Sequence, residues 1–205
     1  MEIHKIYARG FGANAYALTI DNQKAIVIDP AQPRVLDEVE KLGLQVEYVL
    51  ITHFHYDHVA GIPRLQEKGA KVLCSTLCKP FVGTNVDCSH MFGQPPVAYK
   101  VDDVFADGEE KTLCGIKIKC LITSGHTKGG ACYMVTDETG KKLLFTGDTL
   151  FYKTVGRTDL PTGDVNELIE SLRRLWALED MPVYPGHGDD TTIAQEKAHN
   201  PYMVF

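Results

Sequence analysis

Val46-Glu47-Tyr48-Val49-Leu50-Ile51-Thr52-His53-Phe54-His55-Tyr56-Asp57-His58 is the stretch on which the fold turns. Its first six residues predict a buried β-strand, because apolar and β-branched side chains dominate them. Directly behind Ile51, three His and one Asp crowd into a single segment. Such groups at the end of a core strand are costly to bury unless a metal or a partner satisfies them. Imidazole nitrogen and carboxylate oxygen together suit zinc, iron or manganese better than calcium or magnesium. A solvated His-rich loop has no need for this density of ligand types, so the metal reading is preferred.

One segment does not close a metal site, and three later segments supply candidates. Ser124-Gly125-His126-Thr127 follows a strand ending near Thr123. Thr146-Gly147-Asp148-Thr149 follows Lys142–Phe145, and Pro185-Gly186-His187-Gly188 follows Met181–Tyr184. Each repeats one arrangement: a strand, a Gly, then a ligand-type residue. Gly lets the chain turn sharply at a strand end and lets other atoms approach closely. Taken singly, each His or Asp reads as a turn residue. Together they point to strand ends converging on one sheet edge.

Working outward, Glu2–Ala8, Asn14–Ile20 and Lys24–Ile28 predict short strands separated by the turn signals Gly10-Phe11-Gly12 and Asp21-Asn22, an antiparallel meander. Pro33 opens a helix whose Val35, Leu36, Val39 and Leu42 share one face, with Gly43 at its C-terminal cap. A short helix is predicted over about Val59–Lys68 and a strand over Lys71–Cys74. Residues 77–97 read as a long irregular insertion covering a site; Phe81, His90, Met91 and Phe92 could line a substrate groove, although an aromatic or Met in a long loop more often anchors that loop to the core. Strands resume at Thr112–Ile122, Ala131–Thr136 and Lys142–Thr146. Asp164 with Glu167 then starts a helix with Val165, Leu168, Ile169, Leu172, Leu175 and Trp176 as its apolar stripe. A strand at Met181–Tyr184 and a short helix after Thr191-Thr192 close the chain. Each half runs strands, helix, strand, which suggests two packed sheets with helices outside.

At 205 residues and 44% hydrophobic composition, one domain spanning 1–205 is expected, large enough to form a core without staples. Six Cys with no C-x-x-C pair argue against a disulfide scaffold or a zinc ribbon, and a cytoplasmic setting fits best. No long apolar run suggests a membrane span. A formal charge of −6 without a Lys/Arg block gives nothing to attract nucleic acid.

With these motifs in place, the chain resembles the metallo-β-lactamase superfamily, whose signature is H-x-H-x-D-H followed by separated His, Asp and His ligands. The resemblance spans nearly the whole sequence. It implies an α/β (α+β) class fold, a four-layer αββα sandwich with a two-metal site along one edge. Carried over by motif, His53, His55 and His126 would hold the first metal and Asp57, His58 and His187 the second, with Asp148 bridging. Asp57 and Asp148 would carry catalysis, and zinc is the first expectation, with iron or manganese as alternatives. His4, His90 and His199 remain ordinary surface or loop residues, and a second zinc on Cys78, Cys88 and His90 is disfavoured for want of short paired spacing.

Details within the superfamily discriminate. His55 stands where flavo-diiron members carry Glu. Asp148 stands where the common antibiotic-hydrolysing enzymes carry a Cys ligand, and those also lack a ligand at the His58 position. Thr146-Gly147-Asp148-Thr149-Leu150-Phe151, then Gly156-Arg157 and Pro185-Gly186-His187, is similar to the glyoxalase II branch. The Asn200-Pro201 ending is similar to its short bacterial members, which lack the C-terminal helical domain that holds glutathione. The implied activity is hydrolysis of a small anionic thioester of the hydroxyacylglutathione (lactoylglutathione) type by metal-bound hydroxide.

The physics of such a site agrees with a thioester. Coordination lowers the pKa of water from about 15.7 to near 7. A thiolate leaving group, with a free-thiol pKa near 8.5, departs with little protonation, whereas an amide nitrogen must acquire a proton. Arg157 stands where the branch places a basic residue against a glutathione carboxylate; its alternative is an internal salt bridge to Asp159 or Asp164. Asp159 and Asp189 depart from the branch, standing near positions of substrate-contacting Tyr. The runner-up activity is a mononuclear iron persulfide dioxygenase, followed by a lactone hydrolase; a non-catalytic metal-binding role carries little weight with every ligand position filled.

Overall fold

Strands buried on both faces need two cores, and the first half of this chain has them. In the computed structural model, which describes residues 1–205 apart from Ala8 and Phe11, β1 (Glu2–Ile6), β2 (Ala15–Thr19) and β3 (Lys24–Ile28) form the expected antiparallel meander. The predicted strand end at Ala8 and the Phe11 centre of the first turn lie outside the described residues. Along β3, Ala25 and Val27 pack to one side while Ile26 and Ile28 pack to the other, the period of two that a strand imposes.

Helix α1 (Arg34–Lys41) follows, and the chain returns as β4 (Gln45–Leu50), parallel to β3. Leu42 corrects the predicted helix face: it is 44% exposed. The helix ends in a Schellman turn in which Gly43 N–H donates to the Glu40 carbonyl and Leu44 N–H to that of Val39. Leu44, beyond the turn, therefore enters the core in place of Leu42. The helix expected over 59–68 is two: α2 (Tyr56–Val59) and α3 (Ile62–Glu67). The break falls at Gly61, whose N–H donates to the Pro30 carbonyl and where a Cβ would collide with backbone of residues 30 and 32. Then come β5 (Lys71–Ser75) and β6 (Asp103–Phe105), the latter unexpected from sequence, both parallel to β4. Between them the insertion folds into three short 3₁₀ turns, Lys79–Phe81, Asn85–Asp87 and Ser89–Phe92.

The second half builds the second sheet. The single strand expected over 112–122 is a hairpin of β7 (Glu110–Leu113) and β8 (Ile116–Ile122), turning through Cys114 and Gly115, both at positive φ. A two-residue turn of that kind matches strand twist, but Cys in place of Asn or Asp gives a weak signal. It continues with β9 (Ala131–Thr136), β10 (Lys142–Gly147), the small β11 (Leu150–Phe151) and β12 (Thr154–Val155) pair, α4 (Val165–Trp176), β13 (Pro182–Pro185), β14 (Thr191–Thr192) and α5 (Ile193–His199). Asp164 caps α4 as expected, accepting from Asn166 and Glu167 N–H. Leu168, Leu172 and Leu175 are its buried stripe, while Val165 and Ile169 face outward.

The sheets run β1-β2-β3-β4-β5-β6 and β14-β13-β10-β9-β8-β7. Three cores define four layers. One packs α1 and α3 on the first sheet, one lies between the sheets, and one packs α4 and α5 on the second. This is the αββα sandwich that the sequence implied. In the middle core, Phe145 meets Tyr16 edge-on and stacks on Tyr184, each at 5.1 Å between ring centroids. Two tyrosines cross between the sheets: Tyr16 Oη donates to the Pro185 carbonyl at 2.7 Å and Tyr133 Oη to the Ile51 carbonyl at 2.9 Å. Each braces a backbone position two residues before a His.

Pairing also fixes where loops emerge. In the second sheet β10 is parallel to β13, while β9 runs antiparallel to both β10 and β8, so β8, β10 and β13 all point one way. Their carboxyl ends carry His126, Asp148 and His187. The Ala131 N–H donates to the Thr52 carbonyl at 2.8 Å, which brings the end of β4 to the same edge. Among the described residues, no helix is long and apolar enough to cross a membrane.

Candidate metal centre

Polar loops that leave parallel strand ends meet at one edge, and here seven ligand-type side chains do so. His53, His55 and His126 offer ligand atoms within 4.8 Å of one another, as do His53, His58 and Asp148, and Asp57, His58 and His187. The His126 Nε2 lies 3.0 Å from His55 Nδ1 and 3.5 Å from Asp148 Oδ2. Asp148 Oδ1 is 3.2 Å from His58 Nε2, and its Oδ2 is 3.6 Å from His187 Nε2. Asp57 Oδ2 sits 3.2 Å from His187 Nε2. Asp148 thus touches both groups of imidazoles. Among the described residues, every cluster able to hold a metal is drawn from these seven; Cys78, Cys88 and His90 form none.

These donors fit a metal by their own chemistry. His53 Nε2, His55 Nε2, His58 Nε2 and Asp148 Oδ1 are buried without a hydrogen-bond partner. Orphaned polar atoms inside a protein carry a desolvation penalty, and all four belong to residues of these clusters, where a bound cation would relieve it. Burial and then the neighbouring imidazoles push His53 well below the ordinary imidazole range, and burial with His126 brings His55 down to about 3. Both rings are therefore neutral, the form that binds metal. Burial is the largest influence on Asp148 and His58 too and opposes charge on both, but their mutual attraction and the other charges around them together outweigh it. His126 and His187 further hold the Asp148 carboxyl low, and Asp29 and Asp57 further raise the His58 imidazole.

A second ring of contacts orients the ligands. Asp29, just past β3, accepts from the Thr52 N–H at 2.7 Å, from Thr52 Oγ1 at 2.6 Å and from His58 Nδ1 at 2.9 Å. Thr52 Oγ1 in turn lies 3.1 Å from His53 Nδ1. His126 Nδ1 donates to the Arg157 carbonyl at 2.7 Å. Holding the far nitrogen of an imidazole fixes its tautomer and turns the near one to the metal. The sequence reading misses Asp29, because an Asp-Pro pair after a strand reads as a turn. The available signal is its place at the end of the strand paired with β4. Glycines make the approach possible: a Cβ on Gly147, at φ 47°, would collide with the Thr52 side chain, and one on Gly186 with Asp148 Oδ1 and His58 Cε1.

A cavity of about 320 Å³ opens over the cluster, lined by Asp57, Cys88, Met91, Phe151, Arg157 and Leu160 among others. Met91 and Phe92 line it. Phe81 instead packs on Phe54 and His90 faces solvent. Arg157 reaches the cavity but its guanidinium is bound bidentately to Asp159, with both contacts at 2.6 Å. Of the two roles open to it from sequence, the internal salt bridge is formed in this structure.

Fold and donor set together define a metallo-hydrolase scaffold. Residues 8–187 match the family described as the metallo-beta-lactamase superfamily, and the chain belongs to it. Similar proteins include the hydroxyacylglutathione hydrolase GloC of Haemophilus influenzae, 35% identical over 99% of this chain and 98% of the relative. Among solved structures, the BLEG-1 B3 metallo-beta-lactamase superposes with a TM-score of 0.89 at 28% identity, covering 100% of both chains. A protein solved in a di-iron-bound form, TTHA1623, superposes with a TM-score of 0.81 at 30% identity over 97% of this chain and 99% of that one.

Proposed function

We propose that the chain is a dinuclear metal-dependent hydrolase that cleaves small anionic thioesters of the hydroxyacylglutathione type. The observation that supports this most is the pair of ligand sets around Asp148: His53, His55 and His126 on one side, Asp57, His58 and His187 on the other. Two divalent ions held there, zinc by first expectation and iron or manganese as alternatives, would supply activated water at neutral pH and polarisation of a carbonyl oxygen. Asp148 carries a carboxylate to both sets. Asp57, against His187, keeps its carboxyl ionised, since His58 and His187 overcome the effect of burial. Burial raises the Cys88 thiol above its ordinary range, so it stays neutral and offers no competing thiolate. Outside the ligands the lining presents no carboxylic acid or free imidazole as a proton donor, which favours a leaving group that departs as a thiolate. The 35% identity to a hydroxyacylglutathione hydrolase over nearly both full lengths supports the same substrate class. The full-length likeness to a B3 metallo-beta-lactamase makes β-lactam hydrolysis the second reading.

Metal analysis of protein purified without added metal, coupled to a panel of thioester, lactone, persulfide and β-lactam substrates, tests both. Two metals per chain with thioester cleavage and no oxygen uptake are expected. One iron per chain with oxygen consumption on glutathione persulfide, or β-lactam turnover without thioester turnover, would overturn the proposal.

A further inference from the structure

Three cavities are linked through shared residues, and their charges differ. The cavity over the ligand cluster shares Asp57 and Phe92 with a second one of about 390 Å³, lined also by Pro33, Arg34, Tyr56 and Ala60. Arg34 is shared in turn with a wider groove of about 550 Å³, where Lys5, Arg9, Arg34 and Lys41 face Glu38 as the one carboxylate among the described residues. A path thus runs from a ligand residue, past the stacked rings of Tyr56 and Phe92, to a basic groove. In a chain of net charge −6 such a groove stands against the average field.

The cations are not equally available. Arg157 is occupied by Asp159, and Lys5 is 2.6 Å from Asp190. Lys41 is 3.3 Å from Glu38. Arg34 differs. Its Nε donates to Gln32 Oε1 at 2.9 Å and its Nη2 to the Tyr7 carbonyl, both neutral acceptors, while the Glu38 carboxylate lies 3.9 Å away. Neutral acceptors fix the guanidinium plane without neutralising it. A planar, immobilised fork of N–H donors, its charge met only at 3.9 Å by a Glu38 carboxylate that Lys41 also engages, is suited to a carboxylate. Arg9 forms no ion pair among the described residues and lines the same groove.

We propose that Arg34, seconded by Arg9, anchors the anionic far end of the substrate's thiol carrier. The carrier then lies in the cavity beside Tyr56, with its thioester over the ligand cluster. The ligand class is a thiol bearing carboxylates remote from its sulfur, with an apolar or amide stem against Pro33, Tyr56 and Ala60. This rests on the thioester reading of the site and assigns the carboxylate contact to Arg34 rather than to Arg157.

Calorimetric titration of the metal-loaded protein with S-methylglutathione, a thioether that cannot be cleaved, tests it by binding alone. Wild type should bind, and Arg34→Ala should bind about 10- to 150-fold more weakly, the range of one charge-assisted hydrogen bond. Arg34→Lys should recover part of the loss, and Arg157→Ala should change affinity less than threefold, about the spread of a surface substitution. Should Arg34→Ala fail to fold, Arg34→Gln keeps hydrogen-bonding capacity toward Tyr7 and removes the charge, with the same expected loss. No binding by wild type, equal binding by the Arg34 variants, or an equal loss in Arg157→Ala would overturn the assignment. A neutral N-acetylcysteamine thioester separates the two proposals. Cleavage of it without S-methylglutathione binding rejects the Arg34 site and keeps the reaction, whereas Arg34-dependent binding without cleavage of any thioester does the reverse.

Discussion

One carboxylate, that of Asp29, holds both ends of the ligand loop that follows β4. Its oxygens take the Thr52 backbone and hydroxyl as well as the His58 ring, so removing it frees both His58 and the loop that bears His53. Asp29→Ala is expected to weaken metal binding about 10- to 100-fold, the usual effect of losing such an orienting partner. Competition with a chromophoric chelator measures this, and an unchanged affinity would remove Asp29 from the site. His126 and His199 make a second comparison. His126→Ala should lower metal content and activity together, while His199→Ala, on the exposed end of α5, should alter neither beyond a surface substitution. Equal damage from both would mean the His roles are misassigned. At this scale the ligands were legible because ionisable side chains at the end of an apolar strand have no structural excuse. Asp29 was not, since the partners of its carboxylate lie 23 and 29 residues on, in the ligand loop, and a single Asp before Pro says nothing about them.

Elements carry the site through the tyrosines that cross the middle core. Tyr16→Phe would leave the Pro185 carbonyl only the longer bond from Asn14 Nδ2 at 3.3 Å, and Tyr133→Phe would take from Ile51 its side-chain donor, in surroundings closed to water. Each should cost about 1–3 kcal/mol in denaturant unfolding. Each should also loosen metal binding on its own side, Tyr133 through the loop of His53 and Tyr16 through the loop of His187. Substitutions that shift the unfolding midpoint by nothing measurable would show these bonds to be replaceable. Most strands were legible because their apolar runs are bounded by Gly and charged turns, and β3 and β9 occupy the ranges their sequences predict. The hairpin of β7 and β8 was hidden because Cys114 looks like one more strand residue. The short β6, β11, β12 and β14 hold too few residues for any periodicity to register.

For the whole molecule, the expected consequence of metal removal is a loss of stability, because ions that bind only the folded chain stabilise it by mass action. At free metal 1,000-fold above Kd that is about 4 kcal/mol, or roughly 8–16 °C in Tm for a chain of this size. Scanning calorimetry before and after chelation, with metal returned, reads the shift; an unchanged Tm would contradict a centre formed in the folded state. The layered architecture was legible from the repeated order of strands, helix and strand. The cavities were not, since α1, the ligand loop and the 3₁₀ turns near residue 92 contribute their walls from positions far apart in sequence.

The division of the ligands between the sheets has one more consequence. The first sheet ends with β6 at Phe105 and the second begins with β7 at Glu110, and the ligands divide at the same place: His53, His55, Asp57 and His58 before it, His126, Asp148 and His187 after it. No half owns a complete set of donors, so metal bound there would act as a rivet that closes only when both plates are present. Cut between Phe105 and Glu110 and produced as two polypeptides, the protein should reassemble far more tightly with metal than with chelator, a difference that analytical ultracentrifugation of the mixed fragments would register. Equal association under both conditions would mean that the apolar seam between the sheets does the joining alone and the rivet is ornamental.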